Sequence, residues 1–144
     1  MDPWIEGLLV SGYAASPTFK AIVDRVQRSD VIVHVEPRMA DRAGVAGMLR
    51  FVGHAGSVRY LRVTIVIPSA RHAAIALLGH ELEHASEVAA DASVVDRDSF
   101  ELLYLRIGDG PCRGTTGARR YDTKAAREAT RQILAELHGS RAGI

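Results

Sequence analysis

A chain of 144 residues is long enough for one domain with its own hydrophobic core. Its 18 basic and 17 acidic residues leave a net charge of +1, which gives no global attraction to nucleic acid or to an anionic membrane. The single cysteine, Cys112, excludes an internal disulfide and Cys-x-x-Cys metal chemistry, and no apolar run approaches membrane-spanning length. The N-terminus lacks a basic segment followed by a long apolar stretch, so no signal peptide is expected. The cytoplasm and the mature form of an exported protein both stay open as locations, and the oligomeric state stays open too.

In chain order, residues 1–15 read as a loosely attached lead-in, with Trp4 as its anchor. Ser16-Pro17 has the form of a helix cap followed by proline at the first helical position. Phe19, Ile22, Val23 and Val26 follow at helical spacing, so a helix is expected over 17–28. Three strands come next. Val31 to Glu36 alternates, with Val31, Val33 and Val35 on one face, and Pro37 ends it. Val45 to Val52 is a second apolar run between Gly44 and Gly53. Val58 to Ile67 is the strongest strand, closed by Pro68. The short spacers favour an antiparallel or mixed meander over βαβ units.

Ser69 can cap a long helix over about 70–90. A further helix is expected over 98–107, capped by Asp96 or Asp98 and stopped by Gly108. Residues 108–120 read as a loop. A last helix starts at Asp122 or Thr123 and runs to about His138, where Gly139 stops it. The basic residues after 110 read as a solvated helix face, because no aromatic residues interleave with them as a nucleic-acid platform needs. The order predicts an α+β domain over 1–144, with an N-terminal helix, a three-stranded sheet, a long helix and two C-terminal helices.

The long helix carries His80-Glu81-Leu82-Glu83-His84, which matches H-E-x-x-H. Residues i and i+4 differ by about 40° around a helix, so both imidazoles leave one face and can hold two corners of a tetrahedral Zn²⁺ site. Glu81, beside the first ligand, is placed to act as the base that activates water. On the same wheel Leu78, Leu82, Ala85 and Ala89 form the opposite, core-facing stripe. The competing explanation is an incidental pair of histidines on a solvated face. A catalytic site needs a third protein ligand. Glu87 and Asp91 lie on the histidine stripe, where second-shell or solvated roles suit them better than ligation. Asp122 would approach from a separate element, or serve only as a helix cap.

With these residues in view, the chain resembles the gluzincin group of zincin metallopeptidases over Gly79-His80-Glu81-Leu82-Glu83-His84-Ala85. Tyr121-Asp122-Thr123-Lys124-Ala125-Ala126 is similar to the E-x-x-A-D stretch of CAAX-prenyl-endopeptidase-like zincins. Ser29 to Val33 and the segment 93–108 resemble an uncharacterised bacterial zincin-like family. The metzincin pattern does not fit, because Glu87 and Ala90 stand where it needs Gly and His. The resemblance implies a zincin-like fold, one Zn²⁺ ion, and a third ligand at Asp122, where the family has glutamate. Ala126 stands at the family's second-shell aspartate. It implies hydrolysis of a peptide or protein substrate with Glu81 as general base, while the near-zero net charge gives no reason to expect a nucleic-acid or membrane partner. The strand 58–67 would hold the substrate along its edge, and Tyr104, Tyr121 or His72 would stabilise the transition state. The alternative is a zincin-fold metal-binding or interaction module with little or no activity.

Other chemistry-bearing residues read as structural. His34 sits on a strand, His54 in the Gly53–Gly56 turn and His138 on the last helix. Cys112 has an arginine neighbour but no base partner in sequence.

Overall fold

The computed structural model describes residues 1–40, 46–67, 70–109, 111–113 and 119–142, with side chains omitted at 67, 111–113, 119–121 and 140–142. The expected Ser69 cap and the Gly44–Val45 start of the second strand lie outside the described residues.

Two helices open the chain, α1 (Pro3–Ala15) and α2 (Pro17–Gln27). The lead-in expected over residues 1–15 is therefore corrected. The Asp2 carboxylate accepts hydrogen bonds from the Trp4 and Ile5 amides, and Pro3 occupies the first turn. Ile5 and Leu8 of this helix are 0% exposed. Ser16 caps α2 through a bond from the Phe19 amide, as expected. Its hydroxyl also donates to Glu136, tying the α1–α2 corner to the last helix.

The sheet comprises β1 (Val31–Met39), β2 (Gly47–Ala55) and β3 (Val58–Ile67) in the order β1-β3-β2. β3 pairs parallel with β1 and antiparallel with β2. It is a mixed sheet, as the short spacers allow. The strand expected to offer its edge, 58–67, lies in the middle with both edges paired. Its apolar character explains this, since Leu61, Val63 and Ile65 are buried. β2 and β3 form a hairpin closed by Gly56-Ser57, and Gly56 takes φ +60°, a conformation glycine adopts without cost. β1 does not end at Pro37 but runs on to Met39. An edge strand tolerates a proline that a central strand would not.

The long helix α3 (Arg71–Ala89) follows, then α4 (Arg97–Ile107). Asp96 and Ser99 form a capping box on α4, and Gly108 follows its last turn. The expected loop over 108–120 contains a short hairpin, β4 (Pro111–Arg113) and β5 (Arg119–Tyr121). α5 (Lys124–Ala142) then runs through Gly139 rather than stopping there. An interior glycine costs a helix only about 1 kcal/mol, which a long helix absorbs. No described helix is long and apolar enough to cross a membrane.

The α+β architecture agrees with the sequence expectation, with one helix more at the N-terminus. One apolar cluster joins α1, α2, α3 and α5 to Val63 and Ile65 of β3. A second joins Val31, Phe51 and Leu61 of the sheet to Ala85 and Val88 of α3 and Leu103 and Tyr104 of α4. α5 runs antiparallel to α3: Thr130 meets His80, and the ring of His138 lies 5.7 Å from that of His72. The two helices approach closely at Gly79, where a Cβ would lie 2.3 Å from Ile133 Cδ1.

Arg59 of β3 fixes the other end of α3. It is 4% exposed and donates to the carbonyls of Val88 and Ala89 in the last turn of α3 and of Asp91 and Val94 in the segment that follows. Its Nε and Nη2 also donate to the Asp30 carboxylate, at 2.8 and 2.7 Å. Arg59→Leu should therefore lower unfolding stability by about 3 kcal/mol or more in urea titration. Asp30→Asn, which keeps an acceptor, should cost clearly less.

Candidate metal centre

α3 is not a surface helix with one wet stripe. Leu78, Leu82 and Ala85 pack in the core and Ala89 is partly buried against it, as the helical wheel requires, but Val88 is buried too, and so are Glu81 and His84, at 2% and 5% exposure. Polar groups in that position need partners, and each imidazole has one on either side.

Asp122 lies immediately before α5. The cap of that helix is Thr123, whose hydroxyl accepts from the Ala126 amide, so Asp122 is not the capping residue. The close α3–α5 packing carries its carboxylate to both histidines. Asp122 Oδ1 is 3.1 Å from His80 Nε2 and 3.6 Å from His84 Nε2. One ligand atom from each of His80, His84 and Asp122 lies within 4.8 Å of the others, a group that can hold a metal ion. Metal–ligand bonds of about 2.0–2.2 Å at the tetrahedral angle place ligand atoms ~3.3 Å apart. The two distances to Asp122 bracket that value.

The far ring nitrogens fix the tautomers. His80 Nδ1 is 2.9 Å from Thr130 Oγ1. The Thr130 hydroxyl donates its proton to the Ala126 carbonyl, so its oxygen accepts from His80 Nδ1–H. His84 Nδ1 is 2.6 Å from Glu87 Oε1, and that carboxylate likewise accepts. Both Nε2 atoms are thereby the ones turned toward Asp122, the arrangement by which outer partners orient ligating imidazoles.

Without a metal the cluster is electrostatically coupled. Burial lowers the His84 pKa, but hydrogen bonds to Asp122 and Glu87 and the charge of Glu81 outweigh it and push it up to about 9. Burial raises the Asp122 pKa, but His84 and the charge of His80 outweigh it and hold it down at about 2. Metal-free protein at neutral pH therefore carries a proton on His84 that a metal must displace.

The other expected site residues separate cleanly. Glu87 supports His84, and Tyr104 donates to the His84 carbonyl at 2.9 Å. Burial, reinforced by the charges of Glu87 and Glu81, keeps the Tyr104 phenol well above its ordinary pKa, so it stays a neutral donor. Asp91 is turned away: its carboxylate binds Ser93 and Arg106. His72 packs edge-on against His138 and is not part of the site. The Tyr121 side chain lies outside the described residues.

The centre opens on a cleft of about 700 Å³. Its walls come from α3, α4, α5 and residues 46–51 of the β2 edge, with Glu81 beside the histidines. A Cβ on Gly47 would stand 2.9 Å from Glu81 Oε1 and 3.0 Å from Leu77 Cδ1. Only glycine leaves the Glu81 carboxylate its place beside β2. Neither Thr130 nor Gly47 stands out in the sequence. Thr130 does fall one turn beyond Ala126 on the same side of α5, which is the signal that could have found it. The chain has no significant match among protein-family profiles, characterised proteins or solved structures.

His80→Ala or His84→Ala should abolish binding of one equivalent of a divalent metal ion in chelator-competition titrations, and Asp122→Ala should weaken it strongly. Thr130→Val should cost about 10–100-fold in affinity, with Thr130→Ser close to the parent. Because His84 must lose a proton, affinity should rise from pH 7 to pH 9 by roughly a factor of ten per pH unit and level off above. A flat profile would show that the proton is not on the binding path.

Proposed function

We propose that this protein is a zinc-dependent metallopeptidase of the zincin type. The observation that carries the reading is the convergence of His80 Nε2, His84 Nε2 and Asp122 Oδ1 in a cleft that also holds the buried Glu81. Two imidazoles and one carboxylate suit a catalytic zinc site with an open position, whereas magnesium and calcium favour oxygen-rich shells. The same donors also suit ferrous iron. A buried carboxylate beside them favours hydrolysis, which needs a base for water.

When bound, zinc supplies the positive charge that polarises a scissile carbonyl and acidifies water. The work of the chain is to hold groups and move a proton. Glu81 takes the proton of the attacking water as its oxygen bonds to the carbonyl carbon, then delivers that proton to the departing nitrogen as the C–N bond breaks. The products are a carboxylate and an amine. His80, His84 and Asp122 keep the centre in place, supported by Thr130, Glu87 and Tyr104. β2 pairs with β3 along one side and borders the cleft along the other. It, and not β3, is the strand along which an extended peptide would lie.

The reading as an inactive module rests on the aspartate in place of glutamate and on Ala126 in place of a second-shell aspartate. Asp122 already reaches both Nε2 atoms, and Thr130 supplies the support that Ala126 lacks. Both points favour an active site.

Glu81→Gln should keep full zinc content and lose at least ~10²-fold in kcat on any peptide the parent cleaves. Equal activity of the two proteins would favour the inactive module. Gly47→Ala should move the Glu81 carboxylate rather than the fold: kcat should drop by up to ~10²-fold with zinc retained. Gly53→Ala, where nothing lies within 4 Å of an added Cβ, should match the parent.

A further inference from the structure

The sheet has two faces, and the helices cover one of them. Val33, Leu49, Leu61 and Val63 look into the core. On the other face Ile32, His34, Arg50, Tyr60 and Arg62 are exposed. The strand register sets this outer face in rows. One row is apolar: Ile32 of β1 stands beside Tyr60 of β3, and Val52 is exposed at the irregularity of β2 opposite Tyr60. The next row is basic: His34 of β1, Arg62 of β3 and Arg50 of β2. Glu36 of β1 borders it, 3.3 Å from His34 Nε2 and 3.9 Å from Arg62 Nε. Arg38 follows Glu36 on the same face by strand alternation, opposite Val66. Three arginines thus stand against one glutamate, a larger positive excess than the +1 of the whole chain.

Arg50 opposite Arg62 breaks a rule of sheet construction. Directly opposed residues stand ~5 Å apart, and like charges there destabilise the strand pair. Glu36 offsets only Arg62. Among the described residues Arg50 has the Met48 sulfur on its Nε, at 3.1 Å, and no carboxylate partner. An anion lying between the two guanidinium groups would remove their repulsion and gain charge-assisted hydrogen bonds from both. A local cost that the fold itself does not repay points to a contact made outside the chain.

We infer that the outer face of the sheet docks an acidic segment of a partner protein, with carboxylates held between Arg50 and Arg62 and an apolar side chain set on Ile32 and Tyr60. The two rows are two residues apart along each strand, so the carboxylate and the apolar group must stand about 7 Å apart on the partner. Tyrosine beside arginine is the composition that carries most of the binding energy in protein interfaces. A single-stranded nucleic acid needs a series of stacking rings, and Tyr60 is the only tyrosine, phenylalanine or tryptophan on this face among the described residues. A second copy of the chain would bring the same positive excess and be repelled. The face lies across the sheet from the metal centre, so the docking does not depend on the metallopeptidase reading.

The test measures binding to the full chain by fluorescence anisotropy. The probes are short labelled peptides that carry leucine and paired glutamates on one face, each with a twin in which glutamine replaces glutamate. We expect saturable binding of the glutamate peptides, weakened by added salt, and at least ~10-fold weaker binding of the twins. Arg50→Gln/Arg62→Gln and Tyr60→Ser should each lose at least ~10-fold on the glutamate peptides, with the affinity of the metal centre unchanged. Arg50→Glu sets opposite charges across the strands, so it should raise the urea midpoint of unfolding and still lose binding. A fall in that midpoint would show that the arginine pair serves the fold, and would overturn the inference. So would equal affinity for both twins, binding of no peptide, or binding that survives the double substitution. Tighter binding of a single-stranded oligonucleotide or of phosphatidylserine vesicles than of any peptide would overturn it as well.

Discussion

The close approach of α5 to α3 at Gly79 is the constraint from which the site follows. The absence of a side chain there lets Ile133 sit against the α3 backbone. That contact sets the spacing of the two helices, and with it the position of everything α5 carries. Thr130, nearly one turn before Ile133, reaches His80 Nδ1. Asp122, just ahead of the helix, reaches both Nε2 atoms. A wider helix pair would take these partners from the buried His84 and the half-buried His80, and a buried polar group without a partner is costly.

The second constraint is burial. α3 packs against helices on one side and against the sheet on another, so its buried polar groups, Glu81 and His84 among them, cannot rely on water. The fold answers each of them locally. Glu87 and Asp122 serve His84, Thr130 and Asp122 serve His80, and Arg59 takes the carbonyls at the helix end. Stability and site geometry are thus the same set of contacts. A metal held by His80, His84 and Asp122 would take the place of the His84 proton. Arg59 matters to this because it anchors α3 to the central strand, while Gly47 on the neighbouring strand leaves room for the Glu81 carboxylate.

What the sequence revealed depended on range. The i, i+4 histidines, the Ser16-Pro17 cap and Asp96 as one of two candidate caps are local, and local rules find them, whereas the reciprocal bond of Ser99 that completes the capping box comes from the structure. Asp2-Pro3 carries the same grammar as Ser16-Pro17. The sequence does not mark α1 as a helix because it is apolar around much of its surface and lacks a clear polar face. Pro37 and Gly139 looked like terminators because composition does not say whether a strand is at an edge or how much a long helix absorbs. The centrality of β3, the identity of the edge strand at the cleft, and the role of Thr130 depend on contacts between elements far apart in sequence. Asp122 was legible only as one of three candidates. The packing of α5 separated it from Glu87, which supports His84, and from Asp91, which binds Ser93 and Arg106.

The central claim is that one zinc ion is held by His80, His84 and Asp122 through the atoms that now face one another. A crystal structure of the zinc-loaded protein, with data collected on both sides of the zinc absorption edge, tests it most directly. The account predicts a single anomalous peak within about 2.0–2.2 Å of His80 Nε2, His84 Nε2 and an Asp122 carboxylate oxygen, with both Nδ1 atoms still bound to Thr130 and Glu87. A peak ligated by Glu87 or Asp91 in place of Asp122, or no peak between the two histidines, would contradict it.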